Sequence, residues 1–520
     1  MHQPPYMPVG SVDPETQGGG LGRQEGSWME AVQLKINKEA AGVSLSIPPY
    51  FRRFDQINNE KCPSIFMPRR QVPPMPVVAQ TAAPPSLDLT DGAAGSRGPA
   101  QSRGGNIIVA AVGPYHHHQT AQPPLITHAK KCAIVKFLAR REFGLDTVDF
   151  LGWALRNDAL ARECYERDSI TMAPQELAEM LLLDGCLVLF AVFLLRSSVR
   201  EDRRPAELAR SPSRELGEEF IYLSADISLH MKPTRLDLLL LGNQIPFFVL
   251  TELHRRLKDT FFRGIQHSIQ ELALSCFDGI RPGPSLVLPQ QEITVHHLLH
   301  LFHWSRVPQG KHAVDTTTIL LDDPETNLPC ATWFEDSLTR FSKHAAPSSS
   351  SSSLNIVFQR KMFGARGVLR VPPLHIHGYS ELLFRNLIAF EQSHLRCGLG
   401  VTAYCICMGR LLQGEDDAKL LRKSGILAHS HETDKEIVDL FRALAEEYRD
   451  TFYSKDLLDL CKDVAAHHRT AAARAVKCVV LQCFPRQTVT FFVILGAFIS
   501  IATLINTIYS LIRFYHPVKH

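Results

Sequence analysis

A run of residues without a charged side chain extends from Gln487 to Ile512 near the end of the chain. An α-helix rises about 1.5 Å per residue, so about 20 apolar residues cross a hydrocarbon core of about 30 Å. The run is longer than this, and Arg486 and Arg513 flank it. We therefore predict a single membrane-spanning helix. The alternative, a buried core helix, needs a polar face, whereas only small hydroxyls, Asn506 and tyrosines interrupt this run.

The charges around the run predict its orientation. The basic residues before it are Arg469, Arg474, Lys477 and Arg486, and those after it are Arg513 and Lys519. Because basic residues are enriched on the cytosolic side of membrane helices, we predict that the bulk of the chain is cytosolic, on the plasma membrane or an endomembrane. Few residues follow the helix, so we expect a tail anchor. The residues predicted to contact membrane lipid are Gln487, Phe491, Phe492, Leu495, Ile499, Leu504, Ile508 and Ile512.

Composition narrows the compartment and the partners. The N-terminus lacks a basic region followed by an apolar segment, so no cleavable secretion signal is predicted. The twelve cysteines are scattered and no Asn-x-Ser/Thr sequon occurs, which fits a reducing compartment where thiols stay free. The formal net charge of +3 predicts no nucleic-acid partner.

Shifts in composition divide the chain. We predict a disordered tail over residues 1–26, an α-rich domain over 27–484, a membrane helix over 485–515 and a short tail over 516–520. Within the domain, residues 73–105 are rich in Pro, Gly and small residues and predict a disordered insertion, and residues 345–353 predict a flexible serine-rich loop.

Apolar periodicity predicts a mainly α fold with a small β element, followed by one C-terminal transmembrane helix. The predicted helices cover Ser27–Lys38, Leu125–Arg141, Asp146–Arg167, Pro174–Ser197, Glu381–Gln392, Val401–Leu412, Lys435–Arg449 and Asp456–Cys483. A short β-like run covers Ile107–Val112, and Leu354–Phe358 with Gly367–Val371 predicts a hairpin or a small sheet.

Two apolar runs inside the domain are too short or too interrupted to cross a bilayer. Gly185–Leu195 is about half the required length, so we predict a core helix. Leu236–Leu250 is similar but contains Asn243, Gln244 and Pro246. We predict a helix bent at the proline, with its freed carbonyls bound by the Asn or Gln side chain.

Several strings occur together in a characteristic order. They are Gly113–His118 (GPYHHH), Ala161–Tyr165 (ARECY), Met180–Leu189 (MLLLDGCLVL), Asp237–Leu250 (DLLLLGNQIPFFVL), Leu382–Gln392 (LLFRNLIAFEQ) and Leu420–Leu427 (LLRKSGIL). In these strings the chain resembles the plant family with domain of unknown function 247. The residues that carry the family motifs are Gly113, Pro114, Tyr115, His116, Asp184, Gly185, Asn243, Gln244, Pro246, Arg385, Asn386 and Glu391.

The resemblance implies a plant protein with one terminal transmembrane helix and largely undefined biochemistry. Some grass members are linked to pollen-side self-incompatibility, where variable loops would carry allele identity. Two segments depart from the family pattern, a longer linker between Phe66 and Ile107 and the block Ala331–Ser353. These departures concern loops that would carry recognition details, whereas the fold is expected to be that of the family.

Histidine groups invite a metal interpretation. His116, His117 and His118 follow the β-like run, and His296, His300 and His303 would share one face of a helix. A structural zinc site needs about four ligands on a rigid frame, and no cysteine pair is suitably spaced near the first group. We therefore favour a turn motif for the first group and a polar histidine face on an amphipathic helix for the second. No metal or cofactor is predicted.

No familiar catalytic motif is found, whether a nucleophile elbow, a phosphate-binding loop, a dinucleotide fingerprint or a zinc-protease helix. Asp184 and Glu391 are carboxylates within apolar surroundings, where burial raises a pKa and can create a general acid or base. The competing interpretation is a hydrogen-bonded structural role, with Arg385 as a partner for Glu391.

The sequence therefore predicts a non-enzymatic, single-pass plant membrane protein that recognises a protein or peptide. The alternative is a membrane-bound hydrolase or transferase with an unfamiliar site built around Asn243, Gln244, Pro246, Arg385 and Glu391. The expected partners are membrane lipid and an unidentified protein or peptide, with self-association as a further possibility.

Overall fold

The structure, a computed structural model, describes residues 21–41, 108–116, 123–165, 170–196, 212–278, 280, 295–307, 328–337, 339–343, 354, 356–361, 366–394, 397–428, 432–447, 455–470 and 486–515. The chain forms two units, Met1–Cys276 with Val295–Leu298 and Phe277–Thr294 with Leu299–His520. The predicted insertion at 73–105 and the predicted loop at 345–353 lie outside the described residues.

Unit 1 is built from helices. They are α1 (Leu21–Ala41), α2 (His128–Leu138), α3 (Thr147–Arg156), α4 (Asp158–Glu163), α5 (Pro174–Leu195), α6 (Pro212–Leu229), α7 (Met231–Asp237), α8 (Phe247–Leu257) and α9 (Ile269–Cys276). Helix α1 begins at Leu21 and not at Ser27, where the predicted helix starts, so the predicted tail of residues 1–26 overlaps its first turns.

Helix α5 is the centre of unit 1. It packs against α2, α3, α6, α8 and α9, and nearly all of its side chains from Leu177 to Leu195 are buried. Pro174 occupies its first turn, and the Glu176 carboxylate accepts a hydrogen bond from the Ala173 amide at 3.1 Å. The predicted core helix over Gly185–Leu195 is confirmed.

Glycine allows α8 to approach α5 closely. A Cβ atom added at Gly185 would lie 2.5 Å from Leu253 Cδ1, which is shorter than any van der Waals contact. The absence of a side chain at Gly185 therefore permits the close packing of α5 against α8.

The predicted helix over Asp146–Arg167 is interrupted. Asp146 caps α3, its carboxylate accepting from the Asp149 amide at 2.9 Å, but the helix ends at Arg156 and α4 begins at Asp158. Between them the Asn157 side-chain amide donates to the Trp153 carbonyl at 2.8 Å. A side chain that binds the preceding turn competes with the helical backbone ladder, which explains the break.

The prediction of one bent helix over Leu236–Leu250 is wrong. Helix α7 ends at Asp237, and α8 begins at Phe247 after Pro246, which has φ −60° and ψ 133°. Proline has no amide hydrogen to donate and disfavours helical geometry in the residue before it, so the chain leaves the helix instead of bending within it.

Residues 108–112 form no strand, so the predicted β-like run at 107–112 is wrong for its described residues. Two backbone bonds join this segment to Leu125 and Ile126, whose amides donate to the carbonyls of Ile108 and Val109, each at 3.0 Å. The segment's own amides bind side chains, as described below, instead of a neighbouring strand.

Unit 2 combines helices with one small sheet. Its elements are α10 (Leu298–Trp304, whose first residue belongs to unit 1), α11 (Ala331–Asp336), β1 (Thr339–Lys343), β2 (Val357–Lys361), β3 (Arg366–Val371), α12 (Ser380–Ser393), α13 (Gly400–Leu411), α14 (Glu415–Lys423), α15 (Asp434–Glu447), α16 (Lys455–His468) and α17 (Arg486–Tyr515).

The sheet has the order β1-β3-β2. Strands β2 and β3 are antiparallel with Phe358 opposite Leu369, which confirms the predicted pairing, although β2 covers Val357–Lys361 and not the predicted Leu354–Phe358. Strand β1 joins β3 in parallel with Phe341 opposite Leu369, and the sequence did not predict it. Since a parallel strand needs no adjacent turn, β1 leaves no hairpin signal in the sequence.

Helices α13 and α15 pack closely in unit 2. A Cβ atom at Gly409 would lie 2.5 Å from Ala445 Cβ and 2.6 Å from the Phe441 carbonyl oxygen. On α15 the predicted apolar stripe is observed, with Ile437, Phe441 and Leu444 buried.

Candidate functional site

Family-motif residues of unit 1 lie around the backbone of residues 109–113. Asp184 on α5 accepts a hydrogen bond from the Gly113 amide at 2.8 Å and forms an ion pair with Lys131 on α2. The Lys131 ammonium also donates to the Ala111 carbonyl at 2.7 Å. The Asp184 carboxylate and the Lys131 ammonium thus both bind the backbone of the same segment.

Asn243 binds the same segment from the loop between α7 and α8. Its side-chain oxygen accepts from the Val112 amide at 2.7 Å, and its nitrogen donates to the carbonyls of Ala110 and Asp237, each at 2.8 Å. Asn243 therefore binds backbone carbonyls, as predicted for an Asn or Gln side chain here, but these are not carbonyls freed by Pro246 within a bent helix, because α7 already ends at Asp237.

Asp237 and Gln244 complete the arrangement. The Asp237 carboxylate accepts from the amides of Val109 at 2.7 Å and Ala110 at 3.1 Å. The Gln244 side chain donates to the carbonyls of Leu238 at 2.9 Å and Leu240 at 2.8 Å. We call Lys131, Asp184, Asp237, Asn243 and Gln244 the backbone clamp.

Gly113 fits the clamp only because it has no side chain. Its φ angle is +82°, a conformation that favours glycine, and a Cβ atom would lie 2.6 Å from the Gln244 carbonyl oxygen. The same carbonyl accepts a hydrogen bond from the Tyr165 hydroxyl at 3.3 Å. Tyr165 in turn makes an edge-to-face contact with Tyr115, with ring centroids 6.1 Å apart.

The chemistry of the clamp is that of a structural network. Asp184, Asp237, Asn243 and Gln244 are buried, and each uses its polar atoms on backbone groups or on Lys131. Burial raises the pKa of Asp237 to about 6, and the two amides that it accepts from oppose this shift. No side chain of the clamp is left as an exposed nucleophile.

Glu391 has a comparable role in unit 2. It is fully buried on α12 and accepts from the amides of Val401 at 2.9 Å and Thr402 at 2.8 Å, which begin α13. It also bonds the Thr402 hydroxyl at 2.7 Å and the His303 ring at 2.7 Å. A carboxylate at a helix N-terminus satisfies amides that have no partner within the helix.

The predicted pair between Arg385 and Glu391 is wrong. Arg385 forms ion pairs with Glu381, at 3.1 Å, and with Glu447. Its neighbour Asn386 donates to the Leu382 carbonyl at 2.8 Å. The residues of the predicted hydrolase site are thus held in separate hydrogen-bond networks, Asn243 and Gln244 in unit 1 and Glu391 and Arg385 in unit 2.

The predicted histidine face is wrong. His296 precedes α10, and its carbonyl accepts from the Phe247 amide at 2.7 Å. His300 and His303 lie on α10 but are buried, His300 beside Cys397 with 3.7 Å between nitrogen and sulfur. Among the described residues no three His, Cys, Asp or Glu side chains are grouped closely enough to hold a metal ion.

The N-terminal histidine motif is only partly described. Pro114, Tyr115 and His116 form a single turn of 3₁₀ helix, as the turn interpretation predicts, although the described residues directly before it, 108–113, form no strand. His117 and His118 lie outside the described residues.

Helix α17 contains the long apolar run that the sequence predicts to cross a membrane. Two helices in the described part of the chain are long and apolar enough to do so. Pro174–Leu195 is 89% buried and forms the core of unit 1, whereas no part of Phe492–Leu511 is buried. The predicted lipid-contacting residues with described side chains are all exposed: Phe492, Leu495, Ile499, Leu504 and Ile508.

Three hydroxyl groups of α17 are satisfied inside the helix. Ser500, Thr503 and Thr507 each donate to the carbonyl four residues earlier, at 2.8 Å. Such internal bonds allow these side chains to lie in hydrocarbon, where no water is present to bind them.

Comparison with known proteins places these features in a family. The model of the DUF247 family, described as a plant protein of unknown function, matches residues 108–502. The UPF0481 protein At3g47200 of Arabidopsis thaliana is 21% identical over 362 residues, covering 65% of this chain and 68% of that protein. The putative UPF0481 protein At3g02645 of the same plant is 24% identical over 117 residues, 22% of each chain. No solved structure matches the chain.

Proposed function

The chain belongs to the DUF247 family of plant proteins, and from this premise we propose that it is a single-pass membrane-anchored recognition protein. In this proposal α17 lies in the lipid bilayer, and the helical units bind a protein or peptide. The observation that carries the proposal is that no residue of the apolar stretch Phe492–Leu511 is buried.

The energetics support a lipid environment for α17. Apolar surface costs about 25 cal/mol per Å² when it stays in water, and each exposed Leu, Ile or Phe adds about 1.5–3 kcal/mol. A stretch whose large side chains include Phe498, Leu504 and Ile505, exposed by 71%, 61% and 61%, is stable only where something apolar covers it. Its length matches the hydrocarbon thickness of a bilayer.

A substitution in the middle of α17 tests the anchor. Leu504→Arg places a charge at the centre of the span, which costs about 2.5–3.5 kcal/mol for insertion. The full chain, synthesised with microsomes present, is expected to float with the membranes, and the variant is expected to shift towards the soluble fraction. Leu504→Val keeps the span apolar and is the matched control. Equal flotation of the Arg variant and the control would contradict the anchor.

The recognition role is supported by the hydrogen bonds that the polar motif residues make. Asp184, Asn243 and Glu391 hold backbone segments in fixed positions, an arrangement that shapes a surface and leaves no reactive group exposed. Cross-linking and capture with the detergent-solubilised full chain, followed by identification of bound proteins, tests this role. Turnover of a small molecule by the same preparation, without any bound protein, would favour a hydrolase or transferase instead.

We extend the proposal to pollen-side self-incompatibility, because the family motifs of this chain resemble those of grass members that are linked to that process. The expected result is that loss of the gene in the pollen parent abolishes rejection of self pollen. Normal rejection in such plants would contradict this role without affecting the membrane anchor.

A further inference from the structure

Helix α1 is attached to unit 1 through a narrow apolar stripe. Val32, Ile36 and Ala40 are buried at intervals of four residues, and the helix packs against α2 and α3. Leu34, on another side of the helix, is 69% exposed. A helix with one buried stripe binds through a single face and leaves the others in solvent.

Specific contacts fix the position of α1. The Lys35 ammonium lies 2.6 Å from the Glu179 carboxylate of α5, and the Thr147 hydroxyl donates to the Gln33 side chain. Gly152 of α3 leaves room for Met29, whose Cε lies 3.4 Å from where a Cβ of Gly152 would be. We call Cys132, Thr147, Gly152 and Glu179 the α1-binding face.

Helix α2 supplies the apolar part of this face. Most of α2 is buried, because it packs against α5 and α6 as well as against α1. Cys132 of α2 is fully buried, and the charges of Glu39 and Lys35 act on its thiol, so α1 passes beside it. Without α1, the side of α2 that carries Cys132 would be an exposed apolar surface.

The attachment of α1 is small compared with that of a core helix. Among the described side chains of α1, those of residues 26–41, three are buried, whereas the buried part of α5 extends from Leu177 to Leu195. The family match begins at residue 108, so α1 lies outside it, separated by residues 42–107. At about 3.3 Å per residue such a connection is long enough for α1 to leave the face without unfolding α2 or α3.

We propose that α1 is a tethered and reversibly bound ligand of the α1-binding face. The face is then a binding site for an amphipathic helix that presents aliphatic side chains every four residues with a lysine beside them, and α1 occupies it in cis. A tether supplies an effective concentration of about 1 mM, so even a weak contact stays closed until a competing helix arrives. The proposal rests on the recognition function above for its biological meaning, but its test needs neither a membrane nor an outside partner.

The test uses the detergent-solubilised full chain with a protease site introduced between residues 73 and 105. After cleavage, excess synthetic peptide of residues 21–41 is expected to displace the α1 fragment, as measured by gel filtration and fluorescence anisotropy. A peptide with Ile36→Ala is expected to bind at least about tenfold more weakly, because it loses the central buried side chain. A peptide with Leu34→Ala, altered at an exposed position, is the matched control and is expected to bind like the parent.

Two cysteines separate release of α1 from unfolding. Alkylation of Cys132, followed by mass spectrometry, is expected to accelerate when the fragment leaves and to slow when peptide is added. Cys186, fully buried within α5, is expected to stay unreactive throughout. The proposal is overturned if the fragment leaves only when Cys186 also reacts, if added peptide does not bind, or if the Ile36→Ala peptide binds as well as the parent.

Discussion

The Asp184 carboxylate on α5 accepts a hydrogen bond from the Gly113 amide at 2.8 Å and forms an ion pair with the Lys131 ammonium. One buried carboxylate thus connects the core helix α5 to the segment at residues 109–113. Asp184 and Gly113 are far apart in the sequence, and both belong to family motifs. This contact explains the two motifs physically, because residues from both of them take part in holding one backbone segment in place.

Asp184→Ala is expected to lower the free energy of unfolding by about 3–5 kcal/mol. The variant leaves the Lys131 ammonium without its carboxylate in a buried place, and unpaired buried charges carry a penalty of this size. Denaturant unfolding followed by circular dichroism measures the change. Asp439→Ala removes the exposed pair with Arg442 and is expected to change stability by less than about 0.5 kcal/mol. Equal effects of the two substitutions would contradict a buried role for Asp184.

Gly113→Ala is expected to destabilise unit 1 by more than Gly264→Ala. Both glycines have φ +82°, so both substitutions carry the same backbone strain of about 1–2 kcal/mol. A Cβ at Gly113 also meets the Gln244 carbonyl oxygen at 2.6 Å, whereas nothing lies within 4 Å of one at Gly264. The difference between the two melting temperatures isolates the clash, and no difference would show that Gly113 is not held against Gln244.

Asp237 is expected to make stability depend on pH between about 4 and 6. Burial raises its pKa from 3.8 to about 6, so the native state holds this proton more tightly than the unfolded state does. Its contribution is therefore fully present below the unfolded pKa and is lost as the pH rises through the folded pKa, with a slope of at most about 1.4 kcal/mol per pH unit. Unfolding curves of the wild type and Asp237→Asn, measured from pH 4 to pH 7, are expected to diverge in this window. Parallel curves would contradict the raised pKa.

The wild-type His467 side chain is expected to lower the free energy of unfolding of unit 2. The residue is buried beside Phe358, with ring centroids 5.2 Å apart, and neither ring nitrogen has a hydrogen-bond partner within the described part of the chain. Burial and then Arg360 lower its pKa, so stability is lost as the pH falls below about 6.5, the unfolded value. His467→Phe is expected to add about 1–3 kcal/mol at neutral pH, the cost of an unpaired buried polar group, and to reduce acid sensitivity. A variant less stable than the wild type would contradict this account.

The sequence predicted the helices with a strong apolar pattern, because burial of a stripe depends on local spacing. It predicted that Asn243 or Gln244 would bind free carbonyls, since a proline inside an apolar run leaves carbonyls without donors. It did not predict that Asn243 and Asp237 would bind residues 109–112, because partners so distant in sequence leave no local signal. The same reason explains why Arg385, near Glu391 in sequence, was the wrong partner, whereas His303 and Thr402 are the observed ones.

The account depends on α17 lying in lipid, and alkaline carbonate extraction of membranes that contain the full chain tests this most directly. We predict that the protein remains in the membrane pellet, because alkaline carbonate breaks charge contacts and does not extract an apolar helix as long as Phe492–Leu511 from hydrocarbon. Release of the intact chain into the supernatant would contradict the anchor, and a protein surface that covers α17 would then have to be found.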